Sequence, residues 1–339
     1  MNEGELPGTG GAFIEIAWKP PEHRSVPQLR ATVAMHMLSA YEVQRTADMV
    51  ERQRVARMAH LSPYESTRRL MSEEHQRLSS AALYYVTADM THLAVAASRS
   101  LPPFNIEHED VPAPAGFMVF EEPVFHYDAD GAAKALRVPT VAISWGPTKI
   151  GLRGHADAMW ITLWQPAGEA LLDALDQLNG TTTTADQRDW FARGFSPLQW
   201  QSEAVWPFGA DQAVYGSATS IAEALEALRA AWLLMQQPKI IETTDVERPR
   251  AERKRDAREG LSTSPVRILD LRRAAPHRDA AAAQGGPGDY TCRWLVSGHW
   301  RQHWYPKRQV HRPVWIAPHL KGPEDKPLRT TETVHLWKR

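Results

Sequence analysis

From Gln28 to Ser62 the chain contains neither proline nor glycine, and Ala, Met, Leu, Arg and Gln are frequent within the run. Such composition favours helix, and Leu29, Val33, Met37 and Tyr41 recur at helical spacing, so this segment must find a partner for one apolar stripe. A second helical run is expected over roughly Pro63–Ser98, with apolar residues at Leu70, Leu78, Ala82, Tyr85 and Met90. Its start is signalled by Ser62-Pro63 followed by Glu65, a pattern that satisfies free backbone donors at a helix N-terminus.

Beyond "LPPFN" the punctuation changes. "AGFMVFEEPVFHY", "RVPTVAISWG" and "DAMWITLWQ" are short runs rich in β-branched and aromatic residues, bounded by Pro and Gly. They predict an antiparallel meander flanked by the N-terminal helices. A short helix is expected over 168–178, stopped by "NG". The aromatic-rich stretch 181–209 has no clear period and reads as irregular. "SIAEALEALRAAWLLMQQP" reads as a core helix: Ile221, Leu225, Leu228, Trp232 and Met235 mark its stripe, Ser220 and Glu223 its capping box, and Pro238 its end.

Charge divides the chain where pattern does not. Residues 1–244 carry 19 Lys or Arg against 29 Asp or Glu, a net of −10, whereas residues 245–339 carry 20 against 11, a net of +9. The segment "RPRAERKRDAR", Arg248 to Arg258, has six cations, two acids and no large apolar residue, which suits a solvated linker or a short basic helix. The expected organisation is therefore α+β: a flexible arm over 1–27 in which "AFIEIAW" alternates at period two and can add an edge strand, an acidic domain over 28–241 with a helical N-terminal region and a central antiparallel sheet, a basic linker over 242–264, and a small basic all-β domain over 265–339. The single cysteine, Cys292, excludes an intramolecular disulfide and a multi-thiolate zinc site, and suits a reducing compartment. No apolar run is long enough to span a bilayer and the N-terminus has no signal-like leader, so a cytoplasmic location without membrane contact is expected.

The C-terminal run "WLVSGHWRQHWYPKRQVHRPVWIAPHLKGP" concentrates aromatic rings and cations. If "VSGHWRQHWYP" is extended, Trp300, Gln302 and Trp304 fall on one face, and His299, Arg301, His303 and Tyr305 on the other. One function follows from cations beside rings: Arg301, Lys307, Arg308, Arg312 and Lys321 neutralise phosphates while exposed rings stack on bases, with Arg253, Lys254 and Arg255 as sequence-independent phosphate contacts. The opposing reading buries the tryptophans in a small core and leaves the cations as its rim. An alternative chemistry is a metal-independent ribonuclease, with His299 and His311 exchanging protons and Arg301 and Tyr305 beside them. A third reading is an adaptor whose basic tail meets an acidic protein partner.

Metal and cofactor chemistry find no motif. His299 and His303 stand four apart on an expected strand, and no HExxH, paired cysteines or DxDxDG loop occurs. Glu121, Glu122, His126 and Asp128 have the composition of a hydrolase metal set, but "EEPVFHYDADG" reads better as strand and turn. No phosphate-cradling glycine loop and no GxSxG is present, so neither cofactor nor metal is expected.

The pattern "GHWRQHWYP…HRPVWIAPHLKGPEDKPL" resembles a C-terminal signature of a family of proteins from actinobacteria and their phages and plasmids. The preceding "RPRAERKRDAREG" and "VRILDLRR" are similar to the segment before that signature, and "PAPAGFMVFEEPV" extends the likeness loosely into the middle of the chain. The resemblance implies a mobile-element setting; it carries no established activity and no catalytic residues.

Overall fold

The computed structural model describes residues 13–53, 62–129, 136–150, 156–213, 221–272, 293–306 and 309–321. In chain order it contains β1 (Ile14–Glu15), α1 (Val26–His36), α2 (Ala40–Gln53), α3 (Pro63–Ser80), β2 (Ala82–Val86), α4 (Ala88–Ser98), β3 (Gly116–Phe120), β4 (Phe125–Ala129), β5 (Leu136–Thr140), β6 (Ala142–Ile150) and β7 (Ala156–Pro166). These are followed by α5 (Glu169–Asn179), α6 (Ala185–Gly194), β8 (Leu198–Pro207), α7 (Ala222–Met235), β9 (Ile241–Val246), α8 (Arg250–Arg258), β10 (Val266–Leu271), β11 (Trp294–Val296), β12 (His299–Tyr305), β13 (Val310–Ile316) and β14 (His319–Lys321).

The fold is α+β, built on a large sheet of order β8-β7-β6-β3-β2-β10-β9. The meander expected from the Pro- and Gly-bounded runs is present as β3-β6-β7, with β8 added antiparallel. The sheet as a whole is mixed, because β2 runs parallel to both β3 and β10. Alternation along these strands creates two cores. Tyr84, Val86, Met118, Phe120, Ile143 and Trp145 face α4 and α7, whereas Leu83, Tyr85, Phe117, Val119 and Ala142 face α1 and α3. Trp145 anchors the first core, stacked on Tyr84 at 5.6 Å and edge-on to Trp232 at 5.1 Å.

Three expectations change here. The run 63–98 is two helices separated by β2, not one continuous helical run. Residues 181–209, expected to be irregular, hold α6 and β8. Finally, 13–27 is not a loose arm: Ile14, Ile16 and Val26 are buried, β1 pairs with β5 at the edge of a small β1-β5-β4 sheet, and the Trp18 indole donates to the Phe120 carbonyl at 3.0 Å. Residues 1–12 and the cap expected at Ser220 lie outside the described residues; α7 itself is buried along its length, as its stripe predicts.

Helix starts follow the sequence closely where a cap is encoded. Ser62 accepts from the Glu65 amide at 3.2 Å while Glu65 accepts from the Ser62 amide, the reciprocal box expected for α3. The two hydrogen bonds from Ser62 hold the Glu65 carboxyl below its usual range. Ser62→Ala is expected to cost about 1 kcal/mol of stability, checked by urea unfolding. In the same variant the Glu65 titration followed by NMR should move up toward the ordinary carboxylate value. At its other extreme, α5 is stopped by Gly180, whose φ of 65° is one that side chains with a Cβ rarely adopt.

The domain boundary expected over 242–264 is instead part of the main body. β9 and β10 form the edge of the large sheet, and α8 lies between them in sequence, so residues 265–271 do not belong to a separate C-terminal module. The basic segment is tied down from inside. Arg248 and Asp256 are buried, and Arg248 Nη2 meets Asp256 Oδ2 at 2.6 Å. Arg30 of α1, fully buried, reaches the same carboxylate at 3.5 Å and donates to the carbonyls of Leu78, Ser79 and Ser262. Desolvation lowers the Arg30 pKa to about 10, against the pull of Asp256. A charge run thus marks a surface helix, but its i and i+8 positions carry the lock that holds it to α1 and α3.

A second buried polar link joins α3 to the sheet. Glu74 accepts from Ser144 Oγ at 2.5 Å and from Arg77 Nε at 2.8 Å, and the Trp164 indole donates to the same serine at 2.9 Å. Each of these groups would be costly to bury alone, and together they fix the register of helix against strands.

Candidate nucleic-acid interface

The cationic and aromatic C-terminal run folds as a two-stranded ribbon, β12 with β13, beside a short β11–β14 pair. Its register pairs His299 with Ile316, Trp300 with Trp315, Arg301 with Val314, Gln302 with Pro313, His303 with Arg312, Trp304 with His311 and Tyr305 with Val310. Residues directly opposite share a face, so the alternation expected from the sequence holds between 299 and 305.

The ribbon is anchored at its open end and free toward its turn. Trp315 is buried in the α4–α7 core and meets Trp300 edge-on at 5.3 Å, and the Trp300 indole donates to the Ala97 carbonyl at the end of α4 at 2.8 Å. Gly298 permits this seat, since a Cβ there would run into the Trp315 ring. Beyond that pair, every residue from Arg301 to Pro306 is exposed, whichever face it occupies. Trp304, 41% exposed, lies against His311 at 4.8 Å on one face, and His303 lies edge-on to Tyr305 at 5.0 Å on the other. The tryptophans divide: Trp300 and Trp315 pack with the core, as the opposing reading has it, and Trp304 is a solvent-facing ring.

The expected cations separate into distinct environments. Arg301 and Lys321 are exposed, and no ion pair or side-chain hydrogen bond engages them among the described residues. Arg312 is not available to a phosphate. Its Nη1 lies 3.0 Å from Asp110 Oδ2 and donates to the Asn105 carbonyl at 2.7 Å, its Nη2 lies 3.7 Å from Glu109, and its side chain is only 12% exposed. Lys307 and Arg308 lie outside the described residues. On α8, Arg253 and Lys254 are exposed, whereas Arg255 is engaged with Gln28 at 3.2 Å and approaches Asp256 at 3.7 Å. Because α8 packs with α1 and α3 and the ribbon packs with α4 and α7, these two basic groups sit on opposite sides of the large sheet. One continuous phosphate track through both is not formed.

The ribonuclease set is also not assembled. His311 lies opposite Trp304, five residues along the strand from His299, which is about 17 Å at 3.3 Å per residue. The two histidines occupy opposite faces, so they cannot share one phosphate with Arg301 and Tyr305. Three of the four residues weighed as metal ligands are likewise committed elsewhere: Glu121 accepts from the Ala88 amide at 2.8 Å, His126 meets Glu15 at 3.2 Å, and Asp128 meets Arg137 at 3.0 Å. Among the described residues, no group of three or more His, Cys, Asp or Glu is arranged to hold a metal ion, and no helix is long and apolar enough to cross a membrane.

Arg312 connects the ribbon to the acidic turn within the "EHED" run, Glu107–Asp110, and to a cavity beside it. The turn His108–Asp110 is held by Arg312, by Asp110 accepting from the Glu107 amide at 2.8 Å, and by Gln236 donating to the carbonyls of Glu109 and Asp110. Burial pushes the Asp110 carboxyl up from its usual range, against the opposing pulls of the Glu107 amide and Arg312. On the far side of the turn, the His108 ring lies flat on Phe208, 3.7 Å between centroids, at the edge of a cavity of about 550 Å³. Residues 111–114 line this cavity together with residues 146–149 of β6 and 157–159 of β7. These residues come from four distant segments, so no local spacing announces them.

No family model matches the chain, and no curated protein matches it in sequence. Among solved structures, the chain is similar to one titled "Crystal structure of AcrVA2", at 10% identity over 87% of this chain and 93% of that one, with a TM-score of 0.39. At that distance nothing about this chain's activity follows from the likeness.

Proposed function

We propose that the protein binds single-stranded nucleic acid through the β12–β13 ribbon. The observation that supports this reading is the exposure of every β12 residue from Arg301 to Tyr305, and of Pro306 after it, where a cation and several rings stand in solvent while the opposing Arg312 and Pro313 of β13 are held against the body. Rings left in water in this way offer stacking platforms to unpaired bases, which are sequence-tolerant partners because every base has a π-face. Trp304 and Tyr305 are the platforms, on opposite faces, and Arg301 with Lys321 supplies the charge. Arg312 holds the ribbon in place and takes no part in contacting phosphate. The mobile-element setting rests on the sequence resemblance alone.

The test is fluorescence anisotropy of a labelled single-stranded oligonucleotide of about ten residues, a length within the usual site size. Trp304→Ala is expected to weaken binding by about tenfold or more, since one base–aromatic stack is worth about 1–3 kcal/mol. Arg301→Ala is expected to lower the slope of log affinity against log salt by about 0.7, the release expected from one single-strand phosphate contact. Absence of binding at low salt, or binding that neither variant alters, removes the proposal. Cleavage of RNA in the presence of EDTA by the wild-type protein would instead revive a catalytic reading with residues other than the His299–His311 pair.

A further inference from the structure

The cavity beside His108 combines three properties that together select for one kind of ligand. Its lining is largely apolar and includes flat groups: Pro112, Pro114 and the stacked His108 and Phe208 rings. Its size, about 550 Å³, is within the range of small-molecule sites and large for a single apolar side chain or ion. Its rim carries one cation and one carboxylate, Lys149 and Asp157, opposite one another on β6 and β7. They approach only to 4.0 Å and remain 71% and 65% exposed, so neither is consumed by the other.

A lipid tail would use the walls and leave the rim idle, and a small anion would use the lysine and leave the walls idle. A planar ring carrying both hydrogen-bonding edges and a phosphate uses all three. The ring lies in the slot and the phosphate meets Lys149, while Asp157 accepts from an amino group or a ribose hydroxyl. The exposed His108 face, already stacked on Phe208, extends the aromatic surface to the mouth of the slot.

We infer that this cavity is a nucleotide site, taking the heteroaromatic base against its proline and His108–Phe208 lining with the phosphate on Lys149. The nucleotide arrives either free or as part of a strand lying on the ribbon. The second source rests on the function proposed above, and it is made possible by the turn 108–110, which Arg312 of the ribbon grips on one side while His108 borders the cavity on the other. A site for a free nucleotide needs no ribbon.

Two variants of the full chain test this. Thr148→Trp places a large ring in the cavity from a half-buried rim position, and Lys149→Ala removes the cation from an exposed one. Adenosine monophosphate by isothermal titration calorimetry and the labelled oligonucleotide by anisotropy are the two probes, with circular dichroism to confirm that each variant is folded. Thr148→Trp is expected to abolish binding of the mononucleotide, and Lys149→Ala to weaken it about tenfold, as for one charged hydrogen bond. Loss confined to the mononucleotide assigns the site to a free ligand, and loss of either kind in the oligonucleotide assigns it to a base of the strand. Unchanged affinity for both probes in both folded variants overturns the inference. Oligonucleotide binding that survives them but is lost in Trp304→Ala then leaves the ribbon proposal intact.

Discussion

Asp256→Ala is expected to lower the free energy of unfolding by about 3–5 kcal/mol, the range for removing one member of a buried ion pair. The size follows from what is left behind. Asp256 answers two guanidinium groups, Arg30 and Arg248, both buried, and its removal strands both in low dielectric. Arg30 retains carbonyl partners at Leu78, Ser79 and Ser262, which solvate its protons but do not neutralise its charge. The helix that supplies Asp256 has little else to hold it, since the rest of α8 is largely exposed. Urea unfolding provides the measurement. An Asp256→Ala midpoint shift worth under about 0.5 kcal/mol, the scale of an ordinary surface substitution, would show that these charges are not desolvated. The variant also separates the two basic groups: below the unfolding transition, oligonucleotide affinity should be preserved, because the ribbon is on the other side of the sheet.

That lock shows where sequence reading succeeds and where it stops. The composition of Arg248–Arg258 correctly signals a charged segment, and α8 is a short basic helix as one of the expected forms. What composition cannot carry is the partner: Arg30 and Asp256 are 226 residues apart, and nothing local distinguishes the two buried charges from their exposed neighbours. The boundary inferred from the charge run was misplaced for this reason. β2 was missed for a different one. "ALYYV" is buried on both faces, so it lacks the period-two alternation of a half-exposed strand, and no proline or glycine separates it from α3 or α4. Such a run is indistinguishable from helix until β3 and β10 are placed on either side. β8 is obscured by a register irregularity opposite Leu163 and Trp164, which interrupts its alternation.

The ribbon was the most legible part of the candidate site, because one face of β12 alternates with the other in the sequence and the strand register agrees with it. The fate of each cation on it was not legible. Arg301 and Arg312 share a face, yet the first has no ion-pair partner among the described residues and the second is clamped by Asp110, a residue over 200 positions away. The cavity was invisible for the same physical reason: its prolines, its strand residues and its aromatic rings are brought together by sheet order, not by spacing.

Trp315→Ala is expected to undock the ribbon, with a local cost of about 3–5 kcal/mol for truncating a buried tryptophan. Trp315 is the ribbon's deepest contact with the α4–α7 core, Trp300 is seated against it, and Gly298 is shaped around it. An isolated two-stranded hairpin is marginal in water, so a ribbon released from the core loses its order as well as its position. Amide exchange over 299–305 should then accelerate sharply while β2 and β3, inside the large sheet, stay protected, because the ribbon opens without the rest of the molecule. A disordered ribbon must be ordered again to stack on bases, so oligonucleotide affinity should fall more than tenfold alongside the faster exchange. Faster exchange with unchanged affinity would mean that the rings and Arg301 are not the binding surface, and unchanged exchange would mean that Arg312 and Trp300 hold the ribbon without Trp315.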